Sequence, residues 1–398
     1  MRALLLENIH PEAATALERA GYAVRSLDRA LAGDELADAL GGVQLLGIRS
    51  KSQVTAEHLR AADALLAVGA FCIGTDQIDL PAATDRGIAV FNAPYSNTRS
   101  VVELALAEII ALTRRMVDKN RLMHAGVWDK SAAGAHEVRG RVLGIIGYGN
   151  IGAQLSVLAE ALGMVVYFYD TADKLALGNA RRCGSLNELL AVADVVTLHV
   201  DGRKGNAGLF GEAQFQAMKQ GALFLNLSRG FVIDTNALRV HLESGQLGGA
   251  ALDVFQDEPS SRDEEFRNDL RGLPNVILTP HIGGSTLEAQ EDIGRFVAGK
   301  LLDFVADGST VLSVNLPPLT LAEHEGTHRL AHLHNNVPGV LAAINSVLAE
   351  HGVNVEGQLL GTRGESGYVL TDIGVDYSDQ VLEQLRALPE TVRLRVLS

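Results

Sequence analysis

Residues 141–170 constrain this chain more than any other stretch. An apolar run, Arg141-Val-Leu-Gly-Ile-Ile146, empties into Gly147-Tyr-Gly-Asn-Ile-Gly152; a helical stretch covers residues 153–162, and a second apolar run ends in a carboxylate at Asp170. Strand, GxGxxG, helix, strand and acid in that order make a dinucleotide cradle. Gly147 makes the tight turn, Gly149 lets backbone approach a pyrophosphate, and Gly152 lets the helix pack closely on the strand. The amides around Asn150 and Ile151 open the helix and offer unpaired donors at its positive end, where the pyrophosphate sits.

Asp170 also bears on the choice of cofactor. Its carboxylate can accept from both adenosine ribose hydroxyls, whereas a ribose phosphate would face it charge to charge. At about 4 Å and an effective dielectric near 20 that repulsion is about 4 kcal/mol per charge pair. No arginine follows at Thr171, Ala172 or Asp173. NAD is therefore expected rather than NADP.

The chain has 398 residues, more than one compact core accommodates, so two or three domains are expected. Residues 1–6 are apolar but too short for a signal peptide or a membrane span, which argues against a membrane partner. Cys72 and Cys183 are the two cysteines, so no disulfide framework exists and a reducing cytoplasm is the expected location. The net charge of −14 argues against nucleic acid, whose phosphates select basic faces.

From residue 1 to 97, short apolar strands (3–6, 44–48, 65–68, 89–91) alternate with helical stretches, the pattern of a parallel α/β unit. Residues 98–123 carry a helical apolar period, with Ser100 and Glu103 spaced as a capping box, and read as one long helix. Strands at 194–200, 222–227, 250–254 and 276–279 continue the cofactor sheet. A helix over 285–305 returns the chain to the first domain, and the active site is expected in the cleft between the two. Residues 315–326, with Pro317, Pro318 and Glu323-His-Glu-Gly326, are the expected linker. Beyond it the order βαββαβ predicts a small ferredoxin-like domain. The fold class is therefore α/β, with two doubly wound parallel-sheet domains, flavodoxin-like and Rossmann, and a third domain at the carboxy terminus. The expected boundaries are 1–97 with 285–325, 98–284, and 326–398.

Three segments place polar residues at the ends of otherwise apolar cofactor-sheet strands: Leu225-Asn-Leu-Ser-Arg-Gly230, Ala251-Leu-Asp-Val-Phe-Gln-Asp-Glu-Pro259 and Leu278-Thr-Pro-His-Ile-Gly-Gly284. Arg229 can clamp a carboxylate through two parallel hydrogen bonds. His281 can take a hydroxyl proton as the adjoining carbon loses hydride. Glu258 can hold the other imidazole nitrogen and fix its tautomer. Each has an ordinary structural reading when taken alone, as a core histidine, a loop-opening acid or a surface cation. Together, at successive strand ends behind a cofactor fingerprint, they favour catalysis.

With Gly147-Tyr-Gly-Asn-Ile-Gly152, these residues resemble the D-isomer-specific 2-hydroxyacid dehydrogenases over almost the whole chain. The segments Ile48-Arg-Ser-Lys-Ser-Gln-Val-Thr55, Phe71-Cys-Ile-Gly-Thr-Asp76, Phe91-Asn-Ala-Pro-Tyr-Ser-Asn-Thr-Arg-Ser-Val101 and Gly126-Val-Trp-Asp-Lys130 are most similar to the members acting on 3-phospho-D-glycerate (3-phosphoglycerate) in serine biosynthesis, in their short form with one carboxy-terminal ACT domain. The resemblance implies that Arg229, Glu258 and His281 are the catalytic set, that Asp253 lies near the nicotinamide carboxamide, and that Gly283 and Gly284 border the cofactor. It also implies a homotetramer. A phosphorylated substrate needs cations: Arg49 and Lys51 at a strand end and Lys130 are the candidates, with Ser50 as a hydroxyl donor between the first two and Asn97 reaching the same pocket.

In the tail, His328, His332 and His334 invite a metal reading, but without a further ligand in sight no metal is expected. His334, Asn336 and Asn354 suit a small amino acid better, since a helix start and side-chain amides can hold its carboxylate and ammonium groups. The resemblance implies serine bound between paired ACT domains. Two departures from the family pattern stand out: Gly326 followed by Thr327 where a glycine pair is common, and Asp201 where many relatives have proline.

Overall fold

The computed structural model of the chain describes residues 1–259, 263–322, 327–375 and 377–397. The chain divides into two compact units, Met1–Ser96 with Gln290–Ser398, and Asn97–Ala289.

The first unit opens with β1 (Arg2–Leu5), α1 (Pro11–Arg19), β2 (Ala23–Ser26), α2 (Gly33–Ala39), β3 (Leu45–Ile48), α3 (Ala56–Ala61), β4 (Ala67–Ala70), α4 (Leu80–Asp85) and β5 (Ala89–Asn92). The sheet is parallel in the order β2-β1-β3-β4-β5, the flavodoxin-like order. Strands β3, β4 and β5 are buried along their whole length and read in sequence as apolar runs. The sequence reading missed β2, an edge strand whose Ala-Val-Arg-Ser is largely exposed and carries no apolar run.

The second unit begins with α5 (Thr98–Thr113) and α6 (Met116–His124), where the sequence predicted one helix. The break has a physical cause. The buried stripe of α5 ends at Leu112 and Thr113, α6 buries no residue, and Arg115 takes a left-handed turn between them with φ 50°. The predicted capping box is also absent: Asn97 stands at the start of α5 without a side-chain capping bond, Ser100 bonds the Thr286 hydroxyl at 2.8 Å, and Glu103 accepts from Arg99.

There follow β6 (Val142–Ile146), α7 (Asn150–Ala161), β7 (Val165–Tyr169), β8 (Arg181–Arg182), α8 (Leu186–Val192), β9 (Val195–Leu198), α9 (Glu212–Ala217), β10 (Ala222–Asn226), α10 (Thr235–Glu243), β11 (Leu247–Leu252) and β12 (Val276–Leu278). All seven strands are parallel in the order β12-β11-β10-β9-β6-β7-β8. The order reverses between β6 and β9, the switch point at which such sheets bind ligands.

The long α11 (Leu287–Asp307) leads to the tail: β13 (Thr327–Asn335), α12 (Val340–Glu350), β14 (Val355–Arg363), β15 (Ser366–Gly374), α13 (Asp379–Ala387) and β16 (Thr391–Leu397). Its antiparallel sheet, ordered β14-β15-β13-β16, is the expected ferredoxin-like arrangement. The front of the predicted linker is firmly packed. Asn315 bonds Val90, Thr84 and Ile88, and Leu316 and Leu319 are buried. Its end, residues 323–326, and the Gly326 hinge lie outside the described residues.

One face of the tail sheet shares an apolar core with the first sheet, joining Leu333, Tyr368, Leu370 and Leu397 to Val297, Leu301 and Phe304. Two of the three arginines on that face, Arg395 and Arg329, cover the end of α11. Arg395 donates to the carbonyls of Phe304 (3.1 Å) and Val305 (2.8 Å) and lies 4.5 Å above the Phe304 ring, and Arg329 donates to the Asp307 carbonyl at 3.1 Å. Arg393 donates to the Leu65 carbonyl at 2.8 Å. Unpaired carbonyls at a helix carboxyl end attract cations, and here they help compensate guanidinium groups removed from water. Arg329 also makes a two-pronged pair with buried Asp372 at 2.7 and 2.9 Å. Removing one partner of such a pair leaves the other buried and uncompensated. Asp372→Asn should therefore cost about 3–5 kcal/mol of stability; an unchanged urea midpoint would contradict this.

Candidate active site

The cradle is built as its glycines require. Gly147 has φ 91°, and a Cβ there would lie 2.5 Å from the His199 carbonyl; at Gly152 it would lie 2.3 Å from the Gly147 carbonyl. Above Gly149 there is open space, so backbone can approach a pyrophosphate beside the first residues of α7, Asn150 and Ile151. Asp170 follows β7, and its carboxylate accepts from the amides of Tyr148 and Ala172, each at 2.8 Å. Arg182, on the short β8, approaches the same corner unannounced by the sequence reading. It is held by Asp173 (2.5 Å) and by the carbonyls of Asp170 and Ala172.

Beyond the neighbouring strands, the three predicted side chains converge. Arg229 follows β10, with its backbone carbonyl held by the Asn226 amide at 3.0 Å. Gly230 is obligatory, since a Cβ would fall 1.9 Å from the Phe255 carbonyl carbon. Glu258 accepts from the Phe255 amide through one oxygen and meets His281 Nδ1 through the other at 2.9 Å. That contact occupies Nδ1 of the half-exposed imidazole. The bond to Glu258 is the main cause holding the His281 imidazole above its ordinary range; partial burial opposes it, and the Glu258 and Asp253 charges add to it. For Glu258, burial is the largest single influence and pushes upward. The His281 bond and charge, the Phe255 amide and the Arg229 charge together carry the carboxyl below its usual range. Both partners thus favour the charged pair, and the Arg229 charge reaches each of them.

Asp253, expected near the nicotinamide carboxamide, is tied to the chain that carries His281. Buried at the end of β11, it accepts from the Thr279 hydroxyl (2.6 Å) and from the amides of Ile282 (2.8 Å) and Gly283 (2.7 Å). These bonds shape the turn in which His281 holds a left-handed φ of 54°. The two following glycines are packing requirements: a Cβ at Gly283 would lie 2.9 Å from Asp253, and one at Gly284 would lie 2.4 Å from the Asn97 amide. Glu108, missed in the sequence because it occupies a stripe position beside Ile109, is buried near Asp253. Burial, with the Asp253 charge adding, pushes its carboxyl up to about 8.

Of the residues expected at the phosphate, Arg49 is half-buried and Ser50 and Lys51 are exposed in the turn after β3. Lys130, in the second unit, is exposed and lines a shallow cavity with Arg114, Lys119, Asp129 and His136.

In the tail, His334 is buried, with Nδ1 on the Asn335 carbonyl at 2.7 Å and no hydrogen-bond partner for Nε2 among the described residues. The exposed Asn336 and Asn354 side chains donate to the Gly364 carbonyl and to Glu356. His328 meets the Tyr377 hydroxyl and His332 the Thr391 hydroxyl. Among the described residues no group of three or more metal-ligating side chains exists, and no helix is long and apolar enough to cross a membrane.

Residues 106–283 match the family model described as D-isomer specific 2-hydroxyacid dehydrogenase, NAD binding domain, and residues 330–393 match an AHAS small subunit-like ACT domain. The chain is 51% identical to a D-3-phosphoglycerate dehydrogenase of Haemophilus influenzae, over 99% of this chain and 96% of the relative. It is 47% identical to one of Escherichia coli K12, over 99% and 97%. Among solved structures it resembles the TT0316 protein of Thermus thermophilus (TM-score 0.69, 32% identity, 76% of this chain and 96% of that one). It also resembles a D-lactate dehydrogenase of Aquifex aeolicus complexed with NAD and lactic acid (TM-score 0.65, 27% identity, 76% and 95%). An NAD cradle beside a convergent arginine, glutamate and histidine, followed by an ACT fold, agrees with these likenesses: the chain is an NAD-dependent dehydrogenase and belongs to the D-isomer-specific 2-hydroxyacid dehydrogenase family.

Proposed function

We propose that the enzyme oxidises 3-phospho-D-glycerate to 3-phosphohydroxypyruvate, the first step of serine biosynthesis, and does so in the cytoplasm. The observation that carries this reading is the 2.9 Å His281–Glu258 pair with Arg229 beside it. The D-3-phosphoglycerate dehydrogenases that match nearly the whole chain support the choice of substrate.

Bound NAD supplies the hydride acceptor. Arg229 clamps the substrate carboxylate and so orients the carbon that bears the hydroxyl. Neutral His281 takes the hydroxyl proton at Nε2, and Glu258, on Nδ1, fixes the tautomer and stabilises the imidazolium. Asp253, by shaping the turn, sets where the imidazole stands. Arg49 and Ser50 receive the phosphate, and Lys51, Asn97 and Lys130 contribute further contacts. The domains are 1–97 with 285–325 for substrate, 98–284 for NAD, and 326–398 for regulation.

In the tail, His334, Asn336 and Asn354 bind serine, a feedback effector, between paired ACT domains. The edge strand β14 favours such pairing, because it leaves Val355, Leu359 and Leu360 partly exposed. A second contact through the cofactor units completes a homotetramer, for which the exposed Met116, Met123 and Trp128 are suited.

Formation of NADH from 3-phosphoglycerate, depressed by added serine, is the expected result. Turnover confined to D-lactate, glyoxylate or 2-oxoglutarate would overturn the substrate, and no absorbance change with any acid would overturn the enzymatic reading.

His281→Gln should lower kcat by a factor of about 10² to 10⁴. Oxidation needs the neutral ring, so kcat/KM should rise as pH climbs through the raised His281 value. Glu258→Gln removes the main cause of that elevation and should move the acidic limb to lower pH; an unmoved limb would contradict the pairing. The stability linkage runs the opposite way to activity: a raised native pKa gives stability that is fully present below the ordinary histidine range and is lost as pH passes the raised value.

Arg49→Ala should raise KM for 3-phosphoglycerate about ten- to a hundredfold, the worth of a charge-assisted hydrogen bond, and change it far less for an unphosphorylated 2-hydroxy acid. Equal losses on both would remove the phosphate assignment. Asn336→Ala should raise the serine concentration for half-inhibition about tenfold with KM for NAD unchanged; calorimetry showing unaltered serine binding would remove the effector assignment.

A further inference from the structure

The turn assigned above to the substrate phosphate is shaped by a carboxylate that the sequence reading passed over. Glu7 lies just beyond β1 and is 7% exposed. Its Oε1 accepts from the amides of Arg49 (3.2 Å) and Ser52 (2.8 Å), and its Oε2 accepts from the amide of Lys51 (2.9 Å). From the other side Gln77, also buried, donates to the Arg49 carbonyl at 2.6 Å and to the Gly74 carbonyl at 3.3 Å. Strands β1, β3 and β4 are adjacent and parallel, so the segments leaving them, which carry Glu7, residues 49–52 and residues 72–77, emerge along one edge of the sheet. They are tied to one another there by side chains.

Glu7 and Asn8 both hold left-handed backbone, with φ 66° and 54°, although neither is glycine. Such a conformation costs free energy and persists where the surroundings demand it. Here the demand is visible, since the turn of chain carries the carboxylate under residues 49–52.

We propose that Glu7 is a positioning residue for substrate: its carboxylate fixes the backbone of residues 49–52, so that Arg49 and Ser50 stand ready for the phosphate. The inference rests on the reading that this turn receives the phosphate, and it adds a specificity mechanism. Three amides of the turn are already committed to Glu7, so backbone donation cannot be the main grip on the anion; recognition falls to the Arg49 guanidinium and the Ser50 hydroxyl. A glutamine at position 7 keeps the shape but turns an NH₂ group, a donor, towards donors, which the turn can relieve only by shifting.

The test compares Glu7→Gln, Arg49→Ala and the double variant in the full-length enzyme, measuring kcat, KM for 3-phosphoglycerate, KM for NAD and NADH binding. Glu7→Gln should raise KM for 3-phosphoglycerate about tenfold, the worth of a buried hydrogen bond lost to repulsion, while kcat, KM for NAD and NADH binding hold steady. Because Glu7 acts through the turn that carries Arg49, the two effects on KM should combine to less than their product in the double variant. If Arg49→Ala raises that KM and Glu7→Gln does not, the positioning role falls and the phosphate reading stands. If neither raises it, both fall. If Glu7→Gln depresses kcat and NADH binding as well, Glu7 merely holds the fold and the inference is overturned. Should Glu7→Gln fail to fold, Gln77→Leu, which cuts the tie to the Arg49 carbonyl, decides the matter: the same selective rise in KM supports the positioned turn, and an unchanged KM overturns it.

Discussion

The carboxylate of Asp253 sets the geometry on which the proposed chemistry depends. It is buried at the end of β11, and its hydrogen bonds to Thr279, Ile282 and Gly283 bend the chain after β12 so that His281 takes a left-handed conformation and meets Glu258. A histidine on a freely moving loop would lose rotational freedom each time it met a substrate hydroxyl; one held by its own backbone has lost it already. The glycines around it are part of the same construction, because Gly283 and Gly284 let Asp253 and Asn97 approach closer than any side chain would allow.

A similar device recurs in the first unit, where Glu7 shapes the turn carrying Arg49. In both places an acid at a strand end spends its oxygens on backbone amides, and the residue proposed to meet substrate stands on the turn so formed. The buried arginines of the tail use the opposite complementarity, with guanidinium groups resting on the carbonyls that end α11. Oriented backbone groups with side-chain charges of opposite sign thus hold the parts that apolar packing alone would leave loosely aimed.

Much of this was legible in the sequence, for identifiable reasons. The cofactor strands are buried on both faces and read as continuous apolar runs, and Gly147 and Gly152 of the cradle meet steric demands that no other residue satisfies. Arg229, Glu258 and His281 stood out as polar residues at apolar strand ends, where burial would otherwise exclude them. The edge strand β2 and the two-residue β8 escaped notice because exposed strands carry no such run. The break between α5 and α6 was hidden because helical periodicity survives one left-handed residue. The roles of Asp253 and Glu7 depend on partners far away along the chain, and spacing along a sequence does not disclose them.

The central claim is that Asp253, through the backbone it holds, sets the position and charge preference of His281. Titration of the His281 ring by NMR, in the wild-type enzyme and in Asp253→Asn, tests it most directly. The wild-type ring should titrate above the ordinary histidine value, with its Nδ1 proton shared with Glu258; in the variant the turn should loosen and the titration should fall back towards that value. Superimposable titration curves for the two proteins would contradict the account.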